Sequence, residues 1–276
     1  MSKFVFFGTG GLLSSICLNE IVENGQSPSA IFIQNSNSVY PNLTELICIN
    51  NSLDYHFVDS VNTPETLNLI NSYFPEFGII ASFGEIFKKP LVGSFPIYNV
   101  HMGVLPYYRG AFTNFWKILA GHDTYGMTIH EIDEKIDSGR ALLIREKDFS
   151  NSIYSGEFIR ENYKMAAEAL VETISDIKTK KENAIPINTN EGKYYAKHTS
   201  EDMILDPEED VIKLHKKINR IQFYGHPTIS SYKIFSSEML IHTNVPVEKH
   251  EISPVSTSAL ILKNKTGILL LKYIKN

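Results

Sequence analysis

In the first two-thirds of the chain, short apolar runs alternate with helical stretches, and this alternation constrains the fold more than any other feature. Residues 3–7, 30–34, 55–58, 77–81 and 97–101 are apolar runs of strand length. Helices are expected at about residues 12–24, from Pro64 onward, at 113–120 and at about 156–178. Thr63 is placed to cap the helix whose first turn Pro64 suits. Residues 127–133 and 141–146 alternate as the strands of a less buried edge would. Strands separated by helices predict an α/β class fold with a doubly wound, mostly parallel sheet.

The texture changes after residue 178. The charged stretch Lys178-Thr179-Lys180-Lys181-Glu182-Asn183 is expected to be solvated and to mark a boundary, giving a large domain over 1–180 and a small one over 181–276. The second part opens a helix at Asp206 that runs to about Ile221, with Val211, Leu214, Ile218 and Ile221 on one face. Short strands follow at 231–235, 239–242, 259–262 and 268–273, and Lys263-Asn264-Lys265-Thr266-Gly267 suits a hairpin. This is a small C-terminal β-rich module.

A hydrophobic fraction of 43% over 276 residues is ample for such a core. The net charge of -5 argues against a nucleic-acid partner, whose affinity rests on neutralising phosphates. Cys17 and Cys48 belong to no CxxC or Cys/His cluster, so neither disulfides nor a zinc site is expected. His130-Glu131 lacks a second metal-spaced histidine, and His122, His198, His215 and His226 show no ligand spacing, so no metal is expected. No apolar run has the length of a membrane span, and the opening residues lack a secretory cleavage pattern, so a cytoplasmic protein is expected.

Gly8-Thr9-Gly10-Gly11 stands between a strand and a helix, as a dinucleotide fingerprint would. Leu13 occupies the place of the third glycine, and no clear acidic residue ends the second strand. A tight turn remains, or exposed N–H groups at a helix start that bind an anionic part of another ligand.

Asn99-Val100-His101 is the stronger signal. Residues two apart on a strand face one side, and strand ends of open α/β sheets are where ligands bind. A loop follows, Met102-Gly103-Val104-Leu105-Pro106-Tyr107-Tyr108-Arg109-Gly110, and later Asp137 in a tight turn before Ser138-Gly139. Singly these residues read as a strand-end cap, a core histidine and a turn residue. Jointly they read as a catalytic set: an amide N–H that can donate to an oxyanion, an imidazole that can move a proton, and a carboxylate that can orient the imidazole.

In this order and spacing, the run from Asn99 to Gly139 resembles the signature region of the folate-dependent formyltransferases. That family has Asn-x-His, a Leu-Pro-x-x-Arg-Gly loop and an Asp-x-x-x-Asp turn. Residues 77–87 are similar to its folate loop, and Asn219-Arg220 with Phe223-Tyr224-Gly225-His226-Pro227 is similar to the link into its second domain. Gly103 departs from the pattern, which usually has Ser there. The resemblance implies a formyltransferase-type Rossmann-like fold and 10-formyltetrahydrofolate as co-substrate. It implies catalysis by Asn99, His101 and Asp137, and a pterin slot built from Phe83, Gly84, Glu85, Ile86, Leu105, Asp133 and Ile136.

The resemblance admits several acceptor amines. Glycinamide ribonucleotide enzymes are shorter. Methionyl-tRNA enzymes carry a basic insertion after the second strand, whereas Gln34-Asn35-Ser36-Asn37-Ser38-Val39-Tyr40 has no Lys or Arg. Sugar N-formyltransferases, which act on nucleotide-linked amino sugars and serve lipopolysaccharide biosynthesis, resemble this chain better. Tyr107 and Tyr108 would then line the acceptor mouth and Arg109 would bind substrate beside them. Backbone N–H groups near Gly10 and Gly11 or a nearby Arg or Lys would hold the diphosphate, and Phe223 or Tyr224 would stack a nucleobase. The resemblance leaves room for a homodimer through the C-terminal module. A methionyl-tRNA acceptor and a non-catalytic folate-fold binding protein are the alternative readings.

Overall fold

The structure is a computed structural model that describes residues 3–36, 41–151 and 154–274. Residues 37–40, part of the stretch without Lys or Arg, lie outside the described residues, as do Met1 and Ser2, which precede the expected opening strand.

In chain order the elements are β1 (Phe4–Gly8), α1 (Leu12–Glu23), β2 (Ala30–Gln34), α2 (Leu43–Asn50), β3 (Tyr55–Val58), α3 (Pro64–Ser72), β4 (Phe77–Ala81) and α4 (Lys89–Val92). Then come β5 (Ile97–His101), β6 (Tyr108–Gly110), α5 (Thr113–Leu119), β7 (Thr124–Glu131), β8 (Ala141–Asp148), α6 (Ser155–Ser175), α7 (Ile177–Glu182) and β9 (Lys193–Tyr195). The chain ends with α8 (Val211–Ile221), β10 (Thr228–Ile229), β11 (Tyr232–His242), β12 (Glu251–Ser256), β13 (Ala259–Asn264) and β14 (Gly267–Ile274).

These elements form two compact units. One comprises residues 1–110, 126–147 and 162–195, the other 111–125, 148–161 and 196–276. The units interleave along the chain, in place of one cut near residue 180. The stretch expected to be a solvated boundary is the short helix α7, and it has no buried residue.

The first unit is built on a seven-stranded sheet in the order β3-β2-β1-β4-β5-β7-β8. The pairs from β3 to β5 are parallel, and β7 runs antiparallel to β5. All five positions of β1 and of β4 are buried, which is why these strands read as unbroken apolar runs. On one face Val5, Phe7, Ala30, Phe32 and Ile80 pack with Ile70, Phe87 and Leu91. Thr63 caps α3 by accepting from the Thr66 N–H, with Pro64 in the first turn, as the sequence predicts. α2 was not expected from the sequence. Asn42 starts it by accepting from the Glu45 N–H at 3.0 Å. β7 corrects the expectation of a little-buried edge strand, because it lies between β5 and β8 and six of its positions are buried.

The second unit holds a five-stranded antiparallel sheet in the order β10-β11-β14-β13-β12. Val211, Leu214 and Ile218 of α8 pack with Ile234, Leu260, Leu262, Leu269 and Leu271 in one core. The expected apolar face of α8 is thus the buried one. Its start is later than Asp206, because the Asp210 side chain accepts from the N–H groups of Ile212 and Lys213 and sets the N-cap. The two strands expected at 231–235 and 239–242 are one strand, β11, interrupted by irregularities in its pairing with β14. Strand β12, with exposed residues in most positions, carried no alternation strong enough to be expected. Asp210→Ala is expected to lower the unfolding free energy by about 1 kcal/mol, the usual worth of a helix N-cap. Urea denaturation measures it; an unchanged midpoint would show that the cap is dispensable.

Candidate active site

The carboxyl end of β5 carries the site. Ile80 of β4 pairs with Asn99, and on the other side Asn99 pairs with His130 of β7 and His101 with Thr128. Residues directly opposite across an antiparallel pair share a face, so the fold sets His130 beside Asn99. The Asn99 Nδ2 lies 3.2 Å from His130 Nε2. Asp137, at a backbone φ of 52°, is in the left-handed region that aspartate tolerates better than most residues. There its Oδ2 lies 3.6 Å from His101 Nδ1 and its Oδ1 lies 3.5 Å from His130 Nε2. The Gly110 N–H donates to Asp137 Oδ2 at 2.7 Å. His101 Nε2 donates to the Tyr108 carbonyl at 2.5 Å. Asn99, His101 and Asp137 are therefore brought together, and His130 joins them.

Charge in this cluster is decided by burial against partners. Burial is the largest influence on His101 and disfavours the imidazolium. Asp137 and the Tyr108 carbonyl favour the charged form, the neighbouring His130 opposes it, and the net shift is downward. Burial likewise penalises the Asp137 carboxylate. The contact with His130, the His101 ring when it is charged, and the Gly110 N–H outweigh that penalty and hold it down at about 2. A neutral imidazole thus faces an ionised carboxylate.

Beside the cluster lies a slot lined by Ile80, Phe83, Glu85, Ile86, Phe87, Asn99, Ile132, Asp133, Glu134, Lys135, Ile136 and Asp137. Ile86 and Ile136 are 66% and 44% exposed, apolar side chains left without cover on its walls. Of the residues expected to form a pterin slot, Phe83, Glu85, Ile86, Asp133 and Ile136 line it. Gly84 adjoins it and donates its N–H to Gln34 Oε1. Leu105 does not line it; it is buried, with its N–H on Thr128 Oγ1 at 3.1 Å. The Glu85 carboxylate fastens the neighbouring loop through Ser60 Oγ, the Val61 N–H and Asn62 Nδ2. Asp133 accepts from Ser138 Oγ and the Lys135 N–H, which shapes the turn leading to Asp137.

The residues expected at the acceptor mouth divide. Tyr107 is exposed. Tyr108 stacks on Tyr195, ring centroids 5.2 Å apart and 8° from parallel. Arg109 donates to the Thr189 carbonyl at 3.1 Å. Gly10 and Gly11 follow β1 at the same sheet edge, with the Gly11 N–H directed at Thr9 Oγ1 at 3.3 Å. Tyr224 belongs to the second unit, where it packs edge-on against Phe112, Phe115 and His198. Among the described residues, no group of three His, Cys, Asp or Glu is placed to hold a metal, and no helix is long and apolar enough to cross a membrane.

An α/β chain that gathers an amide, two imidazoles and an ionised carboxylate at the carboxyl edge of its sheet has the parts of a group-transfer enzyme with acid–base chemistry. Comparison with known proteins gives the family. The Formyl transferase family profile matches residues 3–174, and the chain belongs to that family; it is a formyltransferase. The methionyl-tRNA formyltransferase of Campylobacter lari is 25% identical over 287 residues, covering 100% of this chain and 92% of that one. That of Thermosipho africanus is 27% identical over 219 residues, 77% and 70% of the two chains. Among solved structures, the N-formyltransferase of Helicobacter canadensis in complex with folinic acid and dTDP-3-aminofucose has a TM-score of 0.71 at 17% identity, over 99% of this chain and 100% of that one. The methionyl-tRNA formyltransferase of Clostridium thermocellum has a TM-score of 0.59 at 17% identity, over 99% and 100%. The two solved structures share the fold.

Two outcomes are expected. A Cβ at Gly110, whose φ is +98°, would collide with the Tyr195 carbonyl. Gly110→Ala should therefore unseat β6 from β9, loosen the N–H bond to Asp137 and lower both Tm and turnover; unchanged turnover would show that this bond is idle. The second concerns pH. His101 and Asp137 both have folded-state values below their ordinary 6.5 and 3.8, so the unfolded chain binds more protons and stability rises with pH. The His101 share is present above about pH 6.5 and is lost below it. The Asp137 share is present above about pH 4 and is lost as pH falls through about 2. The urea midpoint should fall from pH 7 to 5, and fall less in His101→Gln. An equal fall in that variant would remove His101 as the cause.

Proposed function

We propose that this formyltransferase moves the formyl group of 10-formyltetrahydrofolate to the free amine of a nucleotide-linked amino sugar. The observation that carries the transfer is the Asn99–His101–Asp137 cluster opening on a slot whose isoleucines, Ile86 and Ile136, stand uncovered. Such walls suit the two faces of a flat heterocycle, and the donor supplies the formyl carbon. When an amine attacks that carbon, the oxygen gathers negative charge and Asn99 donates an N–H to it. Neutral His101, whose Nε2–H is on the Tyr108 carbonyl, takes at Nδ1 the proton that the amine sheds, and the ionised Asp137 stabilises the imidazolium so formed. As the intermediate collapses, the bond from the formyl carbon to the donor's nitrogen breaks and the imidazolium returns the proton to that nitrogen, which leaves as tetrahydrofolate. No step calls on a metal or a redox group.

The sugar acceptor is supported by the net charge of -5 and by the absence of Lys and Arg from residues 34–40. The likeness in fold to the Helicobacter canadensis enzyme, crystallised with an amino-sugar nucleotide, agrees with it. A methionyl-tRNA acceptor is the second reading. Behind it stand the Campylobacter lari relative and a cavity in the second unit lined by Lys213, Lys216, Lys217 and Arg220. Asp123 pairs with Lys216 and Arg220, and Glu209 with Lys217, which spends most of that positive charge internally.

Asn99→Ala and His101→Ala are each expected to lower kcat by about 10²–10³ with the fold retained. Turnover of an amino-sugar nucleotide, with weak dependence on salt between ~50 and ~200 mM, would support the sugar reading. Efficient formylation of methionyl-tRNA without turnover of any amino-sugar nucleotide would replace it. Turnover without formylated folate would remove the donor assignment.

A further inference from the structure

His130 belongs to neither the sequence motif nor the mechanism above, yet its side chain is 1% exposed and meets both Asn99 and Asp137. Its Nδ1 lies 2.8 Å from the Glu131 carbonyl oxygen. A carbonyl oxygen only accepts, so Nδ1 carries the proton. In the neutral ring Nε2 is then a bare acceptor, and the group 3.2 Å from it is the Asn99 amide nitrogen. That contact fixes which end of the amide faces the ring. One Asn99 N–H is used on His130, and the other is left for a ligand in the slot that Asn99 lines. Turned over, the amide would set its oxygen against the Nε2 lone pair, and two acceptors would face each other.

We infer that His130 is a positioning residue for formyl transfer, holding the Asn99 amide in the orientation that an oxyanion donor needs. This rests on the proposed role of Asn99. Asp137 Oδ1, 3.5 Å from the same Nε2, sets a competing demand. A protonated His130 would direct its Nε2–H at Asp137 and cease to accept from Asn99. The neutral Nδ1–H tautomer, held by the Glu131 carbonyl, is therefore the form that does the holding. His101, with its ring centroid 6.0 Å away, is a further titratable neighbour.

The test uses the full-length protein with saturating formylated folate and its best acceptor. His130→Leu keeps the bulk and removes the acceptor. It is expected to lower kcat by about 10-fold to 10²-fold, up to the worth of one oxyanion donor, with both KM values within about threefold. His130→Gln, whose amide oxygen can accept from Asn99, is expected to recover most of that loss. In an Asn99→Ala background, His130→Leu should cost less than about threefold further, because a residue acting through Asn99 has nothing left to position. Full activity in His130→Leu, or the same loss with and without Asn99, would overturn the inference. If His130→Leu does not fold, ring-nitrogen NMR of the unsubstituted protein decides, with His130→Gln identifying the signals. Protonation at Nδ1 is expected, and protonation at Nε2 would overturn the proposal. A fully active Asn99→Ala would instead remove the role of Asn99 itself, and a damaged Asn99→Ala beside an unimpaired His130→Leu would remove only the role of His130.

Discussion

A buried carboxylate organises this protein. Asp137 is 9% exposed, and a charge so placed persists only if hydrogen bonds and opposite charge replace its water. The groups around it come from distant parts of the chain: the Gly110 N–H at the end of β6 donates to it, and the rings of His101 at the end of β5 and His130 on β7 lie 3.6 and 3.5 Å from its oxygens. Satisfying one carboxylate therefore fixes two strand ends and a loop relative to each other. Burial leaves His101 neutral beside this anion, the state from which an imidazole can accept a proton and be stabilised once it has.

The parallel sheet makes that arrangement rigid. β1, β4 and β5 are buried almost throughout, so the segments that follow them leave the same edge from fixed points. Two loops of the site, the one after β4 and the turn after β7, are stiffened by their own polar contacts. Glu85 is held by Ser60, Val61 and Asn62, and Asp133 by Ser138 and Lys135. These bonds tie down the loops beside the slot, on whose walls Ile86 and Ile136 are exposed. Glu85 and Asp133 line the slot and at the same time hold the loops that form it.

Much of this was legible in the chain. The five apolar runs gave strands at or within a residue of their observed bounds. The spacing of Val211, Leu214 and Ile218 gave the buried face of α8, and the Asn99–His101 pair gave two side chains on one side of a strand end. Other features were legible only in part. Asp206 reads as a helix start, but Asp210 competes for the same role and wins by bonding two N–H groups. Tyr108 reads as a ligand-facing aromatic in a loop, but Tyr195 lies across from it and takes its face.

Periodicities of two and 3.6 residues, cap residues and turn residues act over a few positions, so the sequence by itself determined the α/β order, the strand-end pair and the amphipathic helix of the second unit. Pairing between strands far apart in sequence is set by how whole layers pack. The tertiary structure alone decided that β7 enters the sheet beside β5 in the register that puts His130 opposite Asn99, and that β6 pairs with β9. It alone interleaved the two compact units along the chain. His130 was passed over in the sequence for this reason: a lone histidine has no local signal, and its neighbours Asn99 and Asp137 are set beside it only by a cross-strand register and a left-handed turn.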